Sequence, residues 1–258
     1  MTKPFLTARW KNLFMANYEV DPARLAPLIP AGTELDLFQG RALVSLVAFQ
    51  FLNTRVKGFR IPWHINFPEI NLRFYLKRSV DGETRRGVAF ISEIVPRRMI
   101  SLVANTLFNE HYKTRRMAQR VRVSSRSTDG LRAGSGQGPS MAHSDQLKAE
   151  YSFVEKGRTQ KITAVAGINP QPLKAGSLED FITEHYYGYT QGRRTMEYQV
   201  EHPSWRTFPI QDYTIEVDFG AAYGSAWSNL TGMKPHSVLL AEGSEVNVYA
   251  GKKILYKP

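Results

Sequence analysis

The stretch FPEINLRFYLK, residues 67–77, sets Glu69, Asn71 and Arg73 at alternate positions. In a strand, residues two apart return to the same face, roughly 6.5–7 Å along. A carboxylate, a carboxamide and a guanidinium would then share one face. Such a face could do chemistry. A buried carboxyl has its pKa pushed toward neutrality and can pass a proton. A guanidinium fork can clamp a ligand carboxylate in two hydrogen bonds. Pro68, Ile70, Leu72, Phe74 and Leu76 make the opposite face apolar. Alternation alone leaves open whether the polar face meets bulk water or lines a pocket, since antiparallel sheets commonly wet one face.

Other candidates lie nearby. Glu93, among apolar neighbours in GVAFISEIV, reads either as a cross-strand partner of Arg73 or as an exposed residue. Tyr112 and Lys113 follow RRMISLVANTLFN, residues 97–109, whose apolar spacing predicts a helix. The six histidines show no i, i+4 pair on a helix and no HExxH pattern, so no metal is expected. His185 reads as a core histidine on a helix expected from Ser177 to Tyr189, with Leu178, Phe181, Ile182, Tyr186 and Tyr189 on the same face. His202 and Trp205, in HPSW, read as a structural corner. No cysteine is present, which excludes disulfides and thiolate chemistry. Phosphate-binding glycine loops and a G-x-S-x-G elbow are also missing, and no cofactor is expected.

The elements around these residues are mostly short strands. Asp21-Pro22 opens a short helix that Pro30 ends. Gln39-Gly40 turns into ALVSLVAF, residues 42–49, a buried strand by its unbroken apolar run. Asp81-Gly82 signals a hairpin pairing 69–77 with 87–95. Ser177 begins a helix with a near capping box, Asp180 replacing the usual Glu. The pieces TMEYQVEH, YTIEVDF, SVLLAEG, EVNVYAG and KKILY read as further strands. The expected fold is α+β and mainly β: one domain over residues 1–258, with a flexible loop at about 127–146.

The formal net charge of +11 from 34 basic and 23 acidic residues can attract nucleic acid, anionic membranes or acidic small molecules. Residues 113–126 alone hold six Lys or Arg and no acid. No zinc-finger spacing, RNP motif or heptad accompanies them, so a nucleic-acid partner is the weaker expectation. No apolar run is long enough to span a bilayer, and the N-terminus lacks signal-peptide features. We expect a cytoplasmic protein with no membrane partner.

The order W-K-N-L-F, then V-D-P-x-x-L-x-x-L-I-P-A-G-T-E-L-D-x-F-x-G, F-P-E-I-N-L-R-F-Y-L, E-H-Y-Y-G-Y-T and H-P-S-W resembles the YqjF-like family. That is a domain of unknown function in the acetoacetate-decarboxylase-like superfamily. The resemblance implies an antiparallel, cone-shaped barrel with a few short helices and a buried pocket for a small carboxylate or keto acid. The studied relative decarboxylates a β-keto acid through a lysine imine whose pKa a second lysine lowers. Carried onto this chain, the imine lysine falls on Tyr112 and its neighbour on Lys113. Tyrosine cannot form an imine. A one-residue slip would restore Lys113, flanked by Arg115 and Arg116. The family's pocket glutamate falls on Glu69, and a basic residue on Lys11, or on Arg9 with a small shift. A second glutamate would fall near Leu46.

The resemblance thus nominates Glu69, Tyr112 and Lys113 for catalysis and Lys11, Asn71, Arg73 and Glu93 for substrate binding. The implied protein is a decarboxylase-like lyase without the standard imine lysine; the alternatives are a non-catalytic binding protein or a basic nucleic-acid-associated one. Relatives often assemble, which leaves room for a homo-oligomer.

Overall fold

The structure, a computed structural model, describes residues 3–62, 64–96, 112–124, 145–192 and 194–254. The helix expected at 97–109 and most of the loop expected at about 127–146 lie outside the described residues. Sixteen strands are present among those described. They are β1 Leu6–Val20, β2 Glu34–Leu35, β3 Ala42–Val56, β4 Phe67–Val80, β5 Glu83–Val95, β6 Tyr112–Thr114, β7 Met117–Ser124 and β8 Gln146–Glu155. They continue with β9 Arg158–Gly167, β10 Tyr187–Thr190, β11 Met196–Glu201, β12 Thr207–Phe208, β13 Ile210–Glu216, β14 Ser237–Ala241, β15 Glu245–Val248 and β16 Lys252–Lys253.

Seven of them close a ring. β1 pairs β3, β3 pairs β4, β4 pairs β5, β5 pairs β10, β10 pairs β11, β11 pairs β15, and β15 returns to β1. Only the β5–β10 seam of this ring is parallel. Closure leaves no free edge on these strands and gives each an inside and an outside. A second antiparallel sheet, ordered β13-β9-β8-β7, packs on the barrel's outside. The alternating residues Phe14, Ala16, Tyr18, Leu46, Ala48, Ile70, Leu72 and Phe74 join Ala149, Tyr151, Phe153, Ile162 and Ala164 of that sheet in one buried cluster. The strand at 67–80 is therefore covered on both faces. Its apolar even positions meet the second sheet, and its polar odd positions turn into the barrel.

Turn chemistry sets the register where the sequence predicts it. Asp81 and Gly82 both have positive φ, 51° and 83°, which matches the twist of a two-residue hairpin. β4 and β5 accordingly pair from Val80↔Glu83 up to Ile70↔Ile94. Asp21 caps the helix Pro22–Leu25 by accepting from Ala23 N. Ser177 caps the helix Leu178–Thr183 by accepting from Asp180 N. That helix ends at Thr183, not near Tyr189. Residues 187–190 are instead recruited as β10 between β5 and β11. The helical spacing of Tyr186 and Tyr189 was overridden because the barrel needs this strand to close.

Two bulges matter for the interior. In β1 the register slips between Lys11 and Phe14, with Asn12 at φ 54°. In β5 it slips opposite the Leu72/Arg73 step. Each extra residue switches which parity points inward.

Candidate active site

Inside the barrel lies a cavity of about 180 Å³ whose wall includes Glu69, Asn71, Arg73, Glu93 and Tyr112. β4 supplies the first three on one inward face. Glu93 stands opposite Asn71 on β5, and Tyr112 stands opposite Glu93 on β6. The β5 bulge explains why Glu93 and Phe90 both face the cavity although they are an odd number of residues apart. Glu69 and Glu93 are only 3% and 1% exposed. Glu93 is thus neither an exposed residue nor the cross-strand partner of Arg73, which stands opposite Phe90.

Glu69 is held at both oxygens. Asn71 Nδ2 donates to Oε1 at 2.9 Å, and the Tyr112 hydroxyl donates to Oε2 at 3.2 Å. Burial nonetheless dominates and raises its pKa from 4.5 to about 7, with Asn71, Tyr112 and Arg73 pulling it back. A carboxyl poised there can both give and take a proton near neutral pH. Arg73 makes no direct ion pair with Glu69. Its Nη2 donates to the Ile182 carbonyl at 3.4 Å and reaches Met15 Sδ at 3.8 Å, and its guanidinium carbon sits 5.7 Å from the Tyr75 ring centre.

The remaining nominated residues lie elsewhere. Lys11 is exposed on the outside of β1. The Asn12 bulge sends Trp10 inward before it and Leu13 after it, and both line the cavity. Arg9 is outside too, 3.9 Å from Glu245. Lys113 alternates with Tyr112, so it points away from Glu69. Its Nζ donates to the Ala222 carbonyl at 2.9 Å. Burial holds the Lys113 pKa below normal, with Glu155 opposing and Arg115 assisting. Arg115 is tied bidentately to Glu155 at 2.7 and 3.2 Å, so Lys113 and Arg115 turn into the molecule while Arg116, Arg120 and Arg122 stay exposed. No lysine lines the cavity among the described residues, and residues 97–111 contain none.

Sequence reading passed over several wall residues. His202 and Trp205 stack with ring centres 4.2 Å apart, and Trp10 meets Phe49, Phe51 and Trp205 edge-on at 5.2, 5.7 and 6.1 Å. His185 also borders the cavity. Its Nε2 pairs with Asp36 Oδ2 at 3.1 Å, and Arg86 Nε donates to the same oxygen at 2.7 Å. Burial lowers the His185 pKa to about 4, so the ring is neutral at neutral pH. Asp36 precedes β4 by some thirty residues, and no local pattern links it to His185.

The seven-stranded closed barrel, backed by a four-stranded sheet and enclosing a largely apolar pocket with a polar end, is the acetoacetate-decarboxylase-like fold. Solved structures of this fold superimpose along nearly the whole chain. Acetoacetate decarboxylase from Legionella pneumophila is 10% identical with a TM-score of 0.60, covering 98% of this chain and 88% of that one. The enduracididine biosynthesis enzyme MppR complexed with pyruvate is 15% identical with a TM-score of 0.58, covering 98% and 91%. At these identities the likeness concerns the fold.

The chain belongs to the family DUF2071, described as an uncharacterized conserved protein, whose profile matches residues 7–245. The uncharacterized protein YqjF of Bacillus subtilis is 25% identical over 252 residues, covering 96% of this chain and 89% of that protein.

Proposed function

We infer that this protein binds a small carbonyl-bearing carboxylate in its barrel and acts on it by lyase-type proton transfer without a lysine imine. The observation that carries the reading is Glu69, a buried carboxyl with a pKa near 7, held by Asn71 and Tyr112 on the cavity wall. In its protonated form it gives a proton to the carbonyl oxygen of a β-keto acid as the bond to the carboxylate breaks, releasing CO2 and leaving the enol. In its ionised form it takes that proton back from the enol hydroxyl as the adjacent carbon gains a proton from water and the ketone forms. Arg73, on the same strand face, attracts the ligand carboxylate. The absence of lysine from the described wall supports chemistry other than imine formation, as does the outward direction of Lys113. Support from relatives is indirect: the fold is shared with a decarboxylase and with a protein crystallised with pyruvate.

Incubation with β-keto and α-keto acids, followed by NMR of products, tests turnover. Glu69→Gln should abolish turnover and retain binding, and Arg73→Met should weaken acid binding. Borohydride with the substrate should leave the intact mass unchanged. A trapped adduct on any lysine would overturn the imine-free reading. Ligand-induced stabilisation with no product from any acid would favour the second reading, a barrel that only binds.

A further inference from the structure

Among the described residues, the polar centre of the cavity is separated from solvent by a mainly apolar corridor. β1, β3 and β4 stack their inward residues in layers set by register. Trp10, Phe51 and Phe67 form one layer, since Trp10 faces Phe51 and Phe51 faces Phe67. The next pairs Phe49 with Glu69, and the next Val47 with Asn71 and Glu93. The Phe51 and Phe67 rings stack at 4.7 Å, which holds that layer's aromatic wall in place.

The two ends of the cavity differ. Beyond the Trp10 layer the wall is mainly apolar, with Phe5, Leu6, Val56 and Ile61 beside Thr54 and His64, and Ile61 is 36% exposed. Among the described residues the barrel is sealed beyond Arg73. Ser45 Oγ bonds the Tyr75 hydroxyl at 2.6 Å and donates to Asn17 Oδ1 at 2.5 Å, while Phe181 and Ile182 of the helix Leu178–Thr183 plug the space. A ligand entering at Ile61 and reaching Glu69 must lay its remainder along Phe51, Phe67 and Trp10. A wholly polar acid would leave these rings facing unfilled space or trapped water. An apolar body would cover them, and its burial adds affinity in proportion to area.

Resting on the acid–base reading above, we propose that the substrate class is a keto acid bearing an aromatic or comparably bulky hydrocarbon body, with its carbonyl at Glu69 and its body in the Trp10–Phe51–Phe67 layer. Size agrees with this: a dry apolar cavity of about 150 Å³ accepts benzene, so about 180 Å³ accommodates one ring with a short acid arm.

Calorimetric titration of the full chain with pyruvate, acetoacetate, phenylpyruvate, benzoylacetate and neutral acetophenone tests the proposal. The two aryl acids should bind about ten- to hundredfold tighter than the two small acids. Phe51→Leu, checked for an unchanged circular dichroism spectrum, should shrink that gap severalfold. Small acids binding as tightly as aryl acids would overturn the hydrocarbon-body proposal and leave the acid–base reading standing. An unchanged gap in a folded Phe51→Leu variant would also count against it. Binding of acetophenone with no binding of any acid, or no binding at all, would overturn both.

Discussion

Tyr112 donates a hydrogen bond to Glu69 at 3.2 Å, although β6 and β4 do not pair with each other. β5 lies between them, and Asn71, Glu93 and Tyr112 stand abreast across the three strands. Hydrogen bonds to a carboxylate favour its ionised form, while burial favours the neutral one. Burial wins at Glu69, and Tyr112 limits the size of the rise. Tyr112→Phe should therefore raise the Glu69 pKa further above about 7. A carboxyl ¹³C NMR titration reads this directly, and an unchanged or lower value would contradict the assignment.

Glu69 also makes stability depend on pH. Its folded pKa, about 7, exceeds the ordinary 4.5, so the folded chain holds a proton that the unfolded chain releases between these values. Stability from this group is fully present below pH 4.5, falls as pH rises through the window, and levels off above about 7. The loss is about 3 kcal/mol at the usual conversion of pKa units to free energy. Glu69→Gln removes the dependence. Urea unfolding should find the variant gaining on the native protein by up to about 3 kcal/mol from pH 4 to pH 8. A difference that stays constant with pH would refute this.

His185 has the opposite sign. Its pKa is lowered from 6.5 to about 4, so the unfolded chain takes up a proton first as pH falls. Its contribution is present above pH 6.5 and is lost as pH drops toward about 4. Between pH 4.5 and 6.5 the Glu69 and His185 slopes oppose each other. His185→Gln should unmask the Glu69 slope, so that the variant gains stability steadily on acidification across that window. The measurement is a series of denaturant midpoints at half-unit pH steps, and a falling midpoint would contradict the opposition.

The barrel seam depends on two glycines. A Cβ at Gly188 would lie 2.1 Å from the Tyr198 ring, and one at Gly87 would lie 2.4 Å from the Tyr187 carbonyl oxygen. Gly188→Ala should cost about 1–3 kcal/mol, as overpacking commonly does. Adding Tyr198→Leu should recover part of that loss, because the obstacle is a side chain. Gly87→Ala should be equally damaging, and the same second substitution should not rescue it, because its obstacle is backbone. Thermal midpoints of the four variants check this, and rescue of Gly87→Ala would argue against the seam geometry.

The amino-acid sequence by itself determined the local pieces. The alternation of residues 67–77, the Asp81-Gly82 turn, and the Asp21 and Ser177 caps each rest on contacts within a few residues, and each appears in the structure. The order of motifs carried the family and its mainly β barrel. Periodicity misjudged residues 184–189, since a gap between β5 and β11 outweighs a helical pattern that nothing else reinforces. Lys11 was nominated for a pocket that a bulge keeps it out of; bulges depend on the partner strand's register, so their parity change is hard to read from one strand.

Tertiary structure alone decided which face of FPEINLRFYLK is enclosed. Either face can be buried or wet as far as alternation goes. Closing the ring through β10 and β15 made the odd face an interior, and packing of the second sheet covered the even one. The same closure brought Tyr112 to Glu69 and turned Lys113 away from it. Proton affinity follows from that enclosure, because a carboxyl at pH 7 is charged in water, whereas burial in this cavity favours its protonated form.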